Sequence, residues 1–164
     1  MNNLTGDQQR ALEEVQEPSE YLGDFIHGWG VEGLVGEDGE MSEEAEKIVV
    51  QAFEILQASA FRTATAKGWY DTGRGFPEEV ALMHSELSEA LEEYRNDQPN
   101  HYYSFTTEGF KVKAKPEGQT VELADCIVRI ADAAEGRKGN LGRALIEKMR
   151  CNRLRPARHG GKKA

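Results

Sequence analysis

The chain has few of the residues that mark zinc-binding, secreted or membrane-spanning proteins. Only Cys126 and Cys151 are cysteines among its 164 residues, and neither belongs to a CxxC or Cys/His pattern. A structural zinc site is therefore not expected, and reduced thiols of a cytoplasmic protein are the default. No apolar run approaches the roughly 18 residues of a membrane span, and the acidic, apolar-poor N-terminus does not resemble a signal peptide. We expect a cytoplasmic protein that does not bind to or cross a membrane.

Charge is abundant but unevenly distributed. The net charge is −9, yet residues 1–50 hold thirteen acidic side chains against two basic ones, and residues 135–164 hold ten basic against two acidic. Because the whole chain is acidic, direct nucleic-acid binding is not expected. The cationic C-terminal segment suits the phosphates of a nucleotide. Charge alone, however, favours the simpler interpretation of a basic tail lying against an acidic bundle.

Apolar periodicity and helix caps predict four amphipathic helices after an acidic, glycine-rich arm. Residues 1–41 are predicted to form the arm, with a short helix near Asp7–Gln16. Residues 42–164 are predicted to form a helical domain with a basic C-terminal tail. Its helices are expected to run from Ser42 to about Lys67, Pro77 to about Asn96, about Thr120 to Glu135, and Asn140 to near Leu154. The predicted fold class is all-α, a four-helix bundle with a short hairpin or loop inserted between helices 2 and 3.

Two of these helices carry acids three residues apart, Glu86 with Glu89 and Glu122 with Asp125. Residues at this spacing lie on one helical face. Either pair alone is typical of a solvated face. Together they favour a metal site, because both border an apolar stripe, where an unpartnered charge is unfavourable, and because consecutive helices can pack antiparallel. An all-oxygen group of four carboxylates suits Mg²⁺, with Mn²⁺ as the alternative.

Other polar residues are placed for a role beside such a metal. Asp132 falls on the same side of its helix as Glu122. Three roles are open for it: a further metal ligand, a hydrogen-bond acceptor beside the site, or a surface acid. Lys148, Asn152 and Arg155 are spaced four and then three residues apart, so they share a helical face. Their ammonium, amide and guanidinium groups suit the oxygens of a di- or triphosphate. The simpler alternative is a basic last turn that complements the helix dipole, although that role has no use for the amide.

The order of these motifs resembles the MazG-like all-α nucleoside triphosphate pyrophosphohydrolases, relatives of dimeric dUTPases and of phosphoribosyl-ATP pyrophosphatase. Their pattern is EExxE on one helix, ExxD on the next and Lys/Asn/Arg on the last. Residues 48–163 resemble small stand-alone members, phage-encoded ones included, in the stretches HSELSEALEEYR, VELADCIVRIAD and EKMRCNRLRPARHGGKK. Ser85 stands where the first glutamate is usual, so a role for that acid in water activation is in doubt.

The resemblance implies Mg²⁺-dependent hydrolysis of a nucleoside triphosphate to the monophosphate and pyrophosphate, in a homodimer or homotetramer. The residues that match the family's metal-binding and catalytic acids are Glu86, Glu89, Glu122 and Asp125. Those that match its phosphate-binding residues are Lys148, Asn152 and Arg155. In the segment before the first acidic helix, Lys67 is expected to contact phosphate. Trp69 is expected either to stack on the base or to plug the end of the bundle.

Three other functions compete with this one. A di-iron carboxylate bundle needs Glu-x-x-His pairs, and no glutamate here has a histidine three residues later. A non-catalytic regulatory or scaffold module with a degenerate nucleotide site is the main alternative, and Ser85 is the residue that favours it. A pyrophosphatase for a related ester, such as phosphoribosyl-ATP, is the third.

Overall fold

The computed structural model describes residues 4–16 and 33–156. These residues form, in order, α1 (Gly6–Gln16), α2 (Glu43–Ala66), α3 (Phe76–Arg95), β1 (Tyr102–Glu108), β2 (Lys111–Glu117), α4 (Gln119–Gly136) and α5 (Leu141–Arg153). Two compact units result. The first unit is Met1–Trp29 with Val80–Ile127, and the second unit is Gly30–Glu79 with Val128–Ala164. Much of the predicted arm (1–3 and 17–32) and the end of the predicted basic tail (157–164) lie outside the described residues.

The predicted fold class, an all-α four-helix bundle, is wrong. The described part of the chain contains a fifth helix, α1, and a two-stranded antiparallel sheet. The segment expected to be a short hairpin or loop is a ladder of seven residue pairs that ends with Glu108 opposite Lys111. The two-residue turn begins at Gly109 with φ +63°, the conformation that a type II′ hairpin turn requires at its first position. The aromatic and β-branched residues before this turn favour a pleated strand, so the segment is a sheet in its own right.

The helix starts expected from capping residues are confirmed. Ser42 accepts a backbone N–H bond in the first turn of α2, and Asn140 does the same in α5. At α1, Thr5 and Gln8 form a reciprocal capping box, in which each side-chain oxygen accepts the other residue's backbone N–H. These bonds satisfy N–H groups that have no partner inside a helix.

In the first unit, Gly118 joins the hairpin to α4. Its φ is +110°, and a Cβ at this position would lie 2.6 Å from the carbonyl oxygen of Pro99 and 2.7 Å from that of Asn100. The N–H of Thr120 also donates to the carbonyl of Asn100 at 3.0 Å. Only glycine fits such a close backbone approach. The joint between β2 and α4 is therefore held against the segment that precedes β1.

In the second unit, α2 packs against α5. A Cβ at Gly142 would lie only 2.8 Å from the Cα of Val50, so glycine permits this close approach. Gln57 is buried, donates to the carbonyl of Gly139 at 2.7 Å and accepts the N–H of Leu141 at 2.9 Å. One buried amide thereby fastens the turn before α5 to α2.

Basic residues of α5 pair with acids of the N-terminal region. The guanidinium of Arg150 makes two hydrogen bonds to the carboxylate of Glu46. Arg153 bridges Asp38 and Glu40 at 2.8 Å each. The pKa of the Asp38 carboxyl is lowered mainly by the hydrogen bond that it accepts from the backbone N–H of Glu40. The hydrogen bond from Arg153 is the second cause. These pairs agree with the simpler interpretation of a basic tail lying against acidic residues for Arg150 and Arg153, while residues 157–164 of that tail lie outside the described residues.

Large apolar side chains are not enclosed in the described part of the chain. None of them is fully buried, and the buried apolar residues are mostly alanines. About half or more of the side chain is exposed at five large apolar residues of the first unit: Leu87, Leu91, Tyr94, Leu123 and Ile127. We call these five residues the apolar stripe. Among the described helices, none has the length and apolar character needed to cross a bilayer.

Candidate metal centre

Three carboxylates of the first unit converge at one point. Glu86 and Glu89 lie one turn apart on α3, and Glu122 lies in the first turn of α4. Each offers an oxygen within 4.8 Å of those of the other two. Glu86 is 4% exposed and Glu122 is 5% exposed, whereas Glu89 is exposed. Three of the four carboxylates predicted to converge are therefore found together.

The convergence places like charges close together. Burial raises the pKa of the Glu122 carboxyl above its ordinary value, and the charges of Glu89, Asp125 and Glu86 raise it further. The positive charge of Lys115 acts to lower the pKa of Glu122. Repulsion of this kind is relieved by a bound proton or by a cation.

The donor set fits a small, hard divalent cation. All three donors are carboxylate oxygens, which Mg²⁺ prefers, and the group contains no histidine or cysteine to favour zinc. With Mg–O bonds of about 2.1 Å, opposite oxygens of an octahedral shell are roughly 4.2 Å apart. The three oxygens here lie within 4.8 Å of one another, which is close to that separation.

Asp125 and Ser85 lie at the edge of this arrangement. Asp125 is exposed, and its charge contributes to the raised pKa of Glu122, but the group within 4.8 Å consists of the other three predicted ligands. The Ser85 hydroxyl donates to the carbonyl of Leu82 at 2.8 Å. Ser85 is thus bonded to its own helix and adds no charge to the group.

The hairpin contributes polar groups that the sequence analysis missed. The Tyr102 hydroxyl donates to Oε1 of Glu93 at 3.5 Å, while Oε2 of Glu93 is buried with no hydrogen-bond partner among the described residues. Lys115 donates to Glu117 at 2.9 Å, and its charge acts on Glu122. The alternation of lysines along β2 is the signal that could have identified this face. The sequence alone did not show where the face pointed.

Two predicted substrate-binding residues lie just after α2, in the second unit. Lys67 is exposed and forms the C-cap of the helix. Trp69 is 48% exposed, and the guanidinium carbons of Arg74 and Arg129 lie 5.5 and 5.6 Å from the centroid of its ring. An indole half exposed beside two cations is an accessible aromatic surface. This exposure favours stacking on a ligand over a plug in a packed bundle end.

Asp132 takes part in a buried ion pair of the second unit. Its carboxylate accepts bonds from Arg74 at 2.8 Å and from the Tyr70 hydroxyl at 2.7 Å. The side chains of the ion pair, Arg74 and Asp132, are less than a tenth exposed. Asp132 is therefore not a surface acid; it holds the turn between α2 and α3.

The basic residues predicted to bind phosphate are in the second unit and exposed. Lys148 and Asn152 lie four residues apart on α5. Arg155 follows the last helical residue, Arg153, and its N–H donates to the carbonyl of Asn152 at 3.1 Å. The helix ends there because the proline that follows Arg155 disfavours helical backbone at this residue. A shared helical face is thus found for Lys148 and Asn152 only.

Comparisons of the chain with protein-family models, with curated proteins and with solved structures give no match. The MazG-like resemblance therefore stays a prediction, carried by the order of the motifs.

Glu122→Gln should stabilise the protein at pH 7 without divalent metal. The folded state raises the pKa of Glu122 above 4.5, so it binds this proton more tightly than the unfolded state does. The resulting stabilisation is fully present below about pH 4.5 and is lost as the pH rises through the folded pKa. Glutamine mimics the protonated form. Its Tm at pH 7 should therefore exceed that of the wild type.

Differential scanning calorimetry in EDTA between pH 4.5 and 7 tests this expectation. Glu92→Gln, at an exposed position of α3, is the matched control and should follow the wild type at every pH. A Glu122→Gln variant less stable than the wild type at pH 7 would show that the carboxylate is compensated without metal.

Proposed function

We propose that the protein belongs to the MazG-like family and hydrolyses a nucleoside triphosphate to the nucleoside monophosphate and pyrophosphate with Mg²⁺, or with Mn²⁺ in its place. One observation carries this proposal. Glu86, Glu89 and Glu122, from two helices that each bear a family motif, present oxygens within 4.8 Å of one another. Two of these side chains are buried, where neighbouring negative charges call for a cation.

The same three glutamates are proposed to hold the ion. The bound ion would neutralise charge on the phosphoryl group and orient it. In the reaction, a water oxygen bonds to the α-phosphorus, the bond from that phosphorus to the α–β bridging oxygen breaks, and pyrophosphate leaves. Asp125, exposed one turn after Glu122, is proposed to serve as a fourth ligand or to take the proton of the attacking water.

Further residues that the resemblance matches are proposed to bind the substrate. The cationic and amide groups suited to its phosphate oxygens are Lys67, Lys148, Asn152 and Arg155, all of them exposed. The half-exposed ring of Trp69 is proposed to stack on the base.

Glu89→Gln should lower kcat at least about 100-fold, the loss typical of removing one group that stabilises transition-state charge. The assay is pyrophosphate release from canonical and damaged nucleoside triphosphates, with and without Mg²⁺. Glu92→Gln, exposed on the same helix, is the control and should keep wild-type activity. Circular dichroism should show unchanged helicity in both variants. Near-wild-type turnover by Glu89→Gln, or release that is independent of Mg²⁺, would contradict the assignment.

Trp69→Ala should change the preference among bases. Stacking of one base on an aromatic side chain is worth about 1–3 kcal/mol, so kcat/KM for the preferred nucleotide should fall roughly tenfold, and less for weakly stacking bases. The measurement is kcat/KM across purine and pyrimidine triphosphates. Phe110→Ala, at the fully exposed turn of the hairpin, is the control. An equal loss on every nucleotide, together with a lower Tm, would assign Trp69 a packing role.

A non-catalytic module with a degenerate nucleotide site is the alternative. The observation that favours it is Ser85, whose hydroxyl is bonded within its own helix where the family has a glutamate. This alternative predicts no rise in Tm with Mg²⁺ and no pyrophosphate release from any nucleotide. The assay described for Glu89→Gln therefore distinguishes the two functions.

We propose that the assembly is a homodimer, or a homotetramer built from two dimers, and that the apolar stripe forms the dimer contact. Its members repeat at helical spacing along α3 and α4. No large side chain is fully buried among the described residues, so a second copy would supply the apolar cover that one copy lacks.

Leu91→Asp, in the middle of the stripe, should shift the sedimentation mass from the dimer or tetramer towards the monomer, because a buried unpaired charge opposes association. Phe110→Asp places the same charge at an exposed apolar residue outside the stripe and should leave the mass unchanged. A wild-type chain that sediments as a monomer at tens of micromolar would contradict the dimer.

A further inference from the structure

The lysines of β2 occupy one face of the hairpin. Alternate residues of a strand point the same way, so Lys111, Lys113 and Lys115 lie in a row, with Glu117 next along it. Lys113 pairs with Glu108 at 2.5 Å, near the turn of the hairpin. Of the three lysines, Lys115 is the nearest in sequence to the start of α4.

Lys115 is held by Glu117 while its side chain stays open to solvent. Its Nζ donates to one carboxylate oxygen of Glu117 at 2.9 Å, and Ser104 donates to the other oxygen at 2.9 Å. Glu117 is thereby fixed and mostly buried, whereas the Lys115 side chain is 63% exposed. The ammonium group has three donors, so a partner from solution can be bound in addition to Glu117.

The charge of Lys115 acts on the candidate metal centre. The bond to Glu117 is the main cause that raises the pKa of Lys115, and the charges of Glu122 and Glu89 add to it. In return, Lys115 opposes the rise in the pKa of Glu122. The ladder and a contact to α3 show which way this face of the hairpin points. Tyr102 and Ser104 lie opposite Glu117 and Lys115, and the Tyr102 hydroxyl donates at 3.5 Å to Glu93, one turn after Glu89 on α3. The face that carries Lys115 is therefore turned towards the helix that bears Glu86 and Glu89.

We propose that Lys115 binds the phosphate chain of the substrate, a di- or triphosphate, at the carboxylate site. This inference rests on the proposed function and adds a residue of the hairpin to it. Three carboxylates with one divalent ion remain negative, and a polyphosphate adds more negative charge. A lysine beside them supplies a point charge for a phosphate oxygen, as lysines commonly do in phosphate sites.

The two states of the site make opposite demands on Lys115. Before phosphate binds, its charge neutralises part of the negative charge of Glu122 and Glu89 and so competes with a divalent ion. Once phosphate is present, the same charge attracts it. Removal of the charge should therefore strengthen metal binding and weaken phosphate binding. A residue with only a structural role would not change the two affinities in opposite directions.

Isothermal titration calorimetry on the full chain tests this inference. Mn²⁺ is titrated first, and inorganic pyrophosphate is then titrated into the Mn²⁺-loaded protein. Lys115→Ala should bind Mn²⁺ about two- to fivefold more tightly, since one nearby positive charge is lost. It should bind pyrophosphate about 10- to 100-fold more weakly, since a charge-assisted hydrogen bond is lost. Lys115→Arg should restore most of the pyrophosphate affinity.

Lys113→Ala is the matched control, because Lys113 lies on the same face of the hairpin but pairs with Glu108 near the turn. Its affinities for Mn²⁺ and for pyrophosphate should stay within about twofold of those of the wild type. Equal pyrophosphate affinity in Lys115→Ala and the wild type overturns the inference. A loss in Lys113→Ala as large as that in Lys115→Ala, or a wild type that binds no pyrophosphate with Mn²⁺, overturns it too.

The proposed function is tested separately by turnover of the wild type. Pyrophosphate binding that depends on Lys115, without pyrophosphate release from any nucleotide, would leave the inference standing and reject the hydrolase. Hydrolysis by the wild type, with unchanged kcat/KM and pyrophosphate affinity in Lys115→Ala, would reject the inference alone.

Discussion

Glu86, Glu89 and Glu122 bring three carboxylates within 4.8 Å of one another, where their negative charges repel. Two unit charges about 5 Å apart repel by roughly 0.8 kcal/mol in water and by about 3 kcal/mol at the effective dielectric constant of a protein surface. Two of these side chains are buried, so the larger figure is closer to their situation. A carboxyl group whose pKa is raised by burial and by neighbouring charges, as that of Glu122 is, is typical of functional sites. A divalent ion would turn this unfavourable arrangement into a binding site.

The local structure holds the acids together in spite of this repulsion. The spacing of three along α3 fixes Glu86 relative to Glu89. The tight backbone contact at Gly118 positions the start of α4, and with it Glu122. The same joint carries the hairpin, which supplies Lys115 as the nearby opposite charge. One glycine therefore positions both the last acid of the group and the cation that acts on it.

Local signals in the sequence were sufficient for the helices and for the motifs they carry. Ser42 and Asn140 were recognised as caps because their side chains replace missing backbone partners over a few residues. The fold class was wrong because the alternating residues of β1 and β2 form a complete sheet and because the arm contributes α1. Which side of a helix is covered could not be read from periodicity, since the apolar stripe is exposed while Glu86 and Glu122 are buried. Lys115 was missed because its role depends on a tertiary joint at Gly118, and no local pattern encodes the direction of that joint.

The most direct test of a divalent-ion site is a crystal structure of the full chain grown with Mn²⁺ and measured at a wavelength with a strong manganese anomalous signal. If the three glutamates bind a divalent ion, one anomalous peak should lie within about 2.5 Å of carboxylate oxygens of Glu86, Glu89 and Glu122. The absence of a peak there at millimolar Mn²⁺, with the three carboxylates still converging, would contradict such a site.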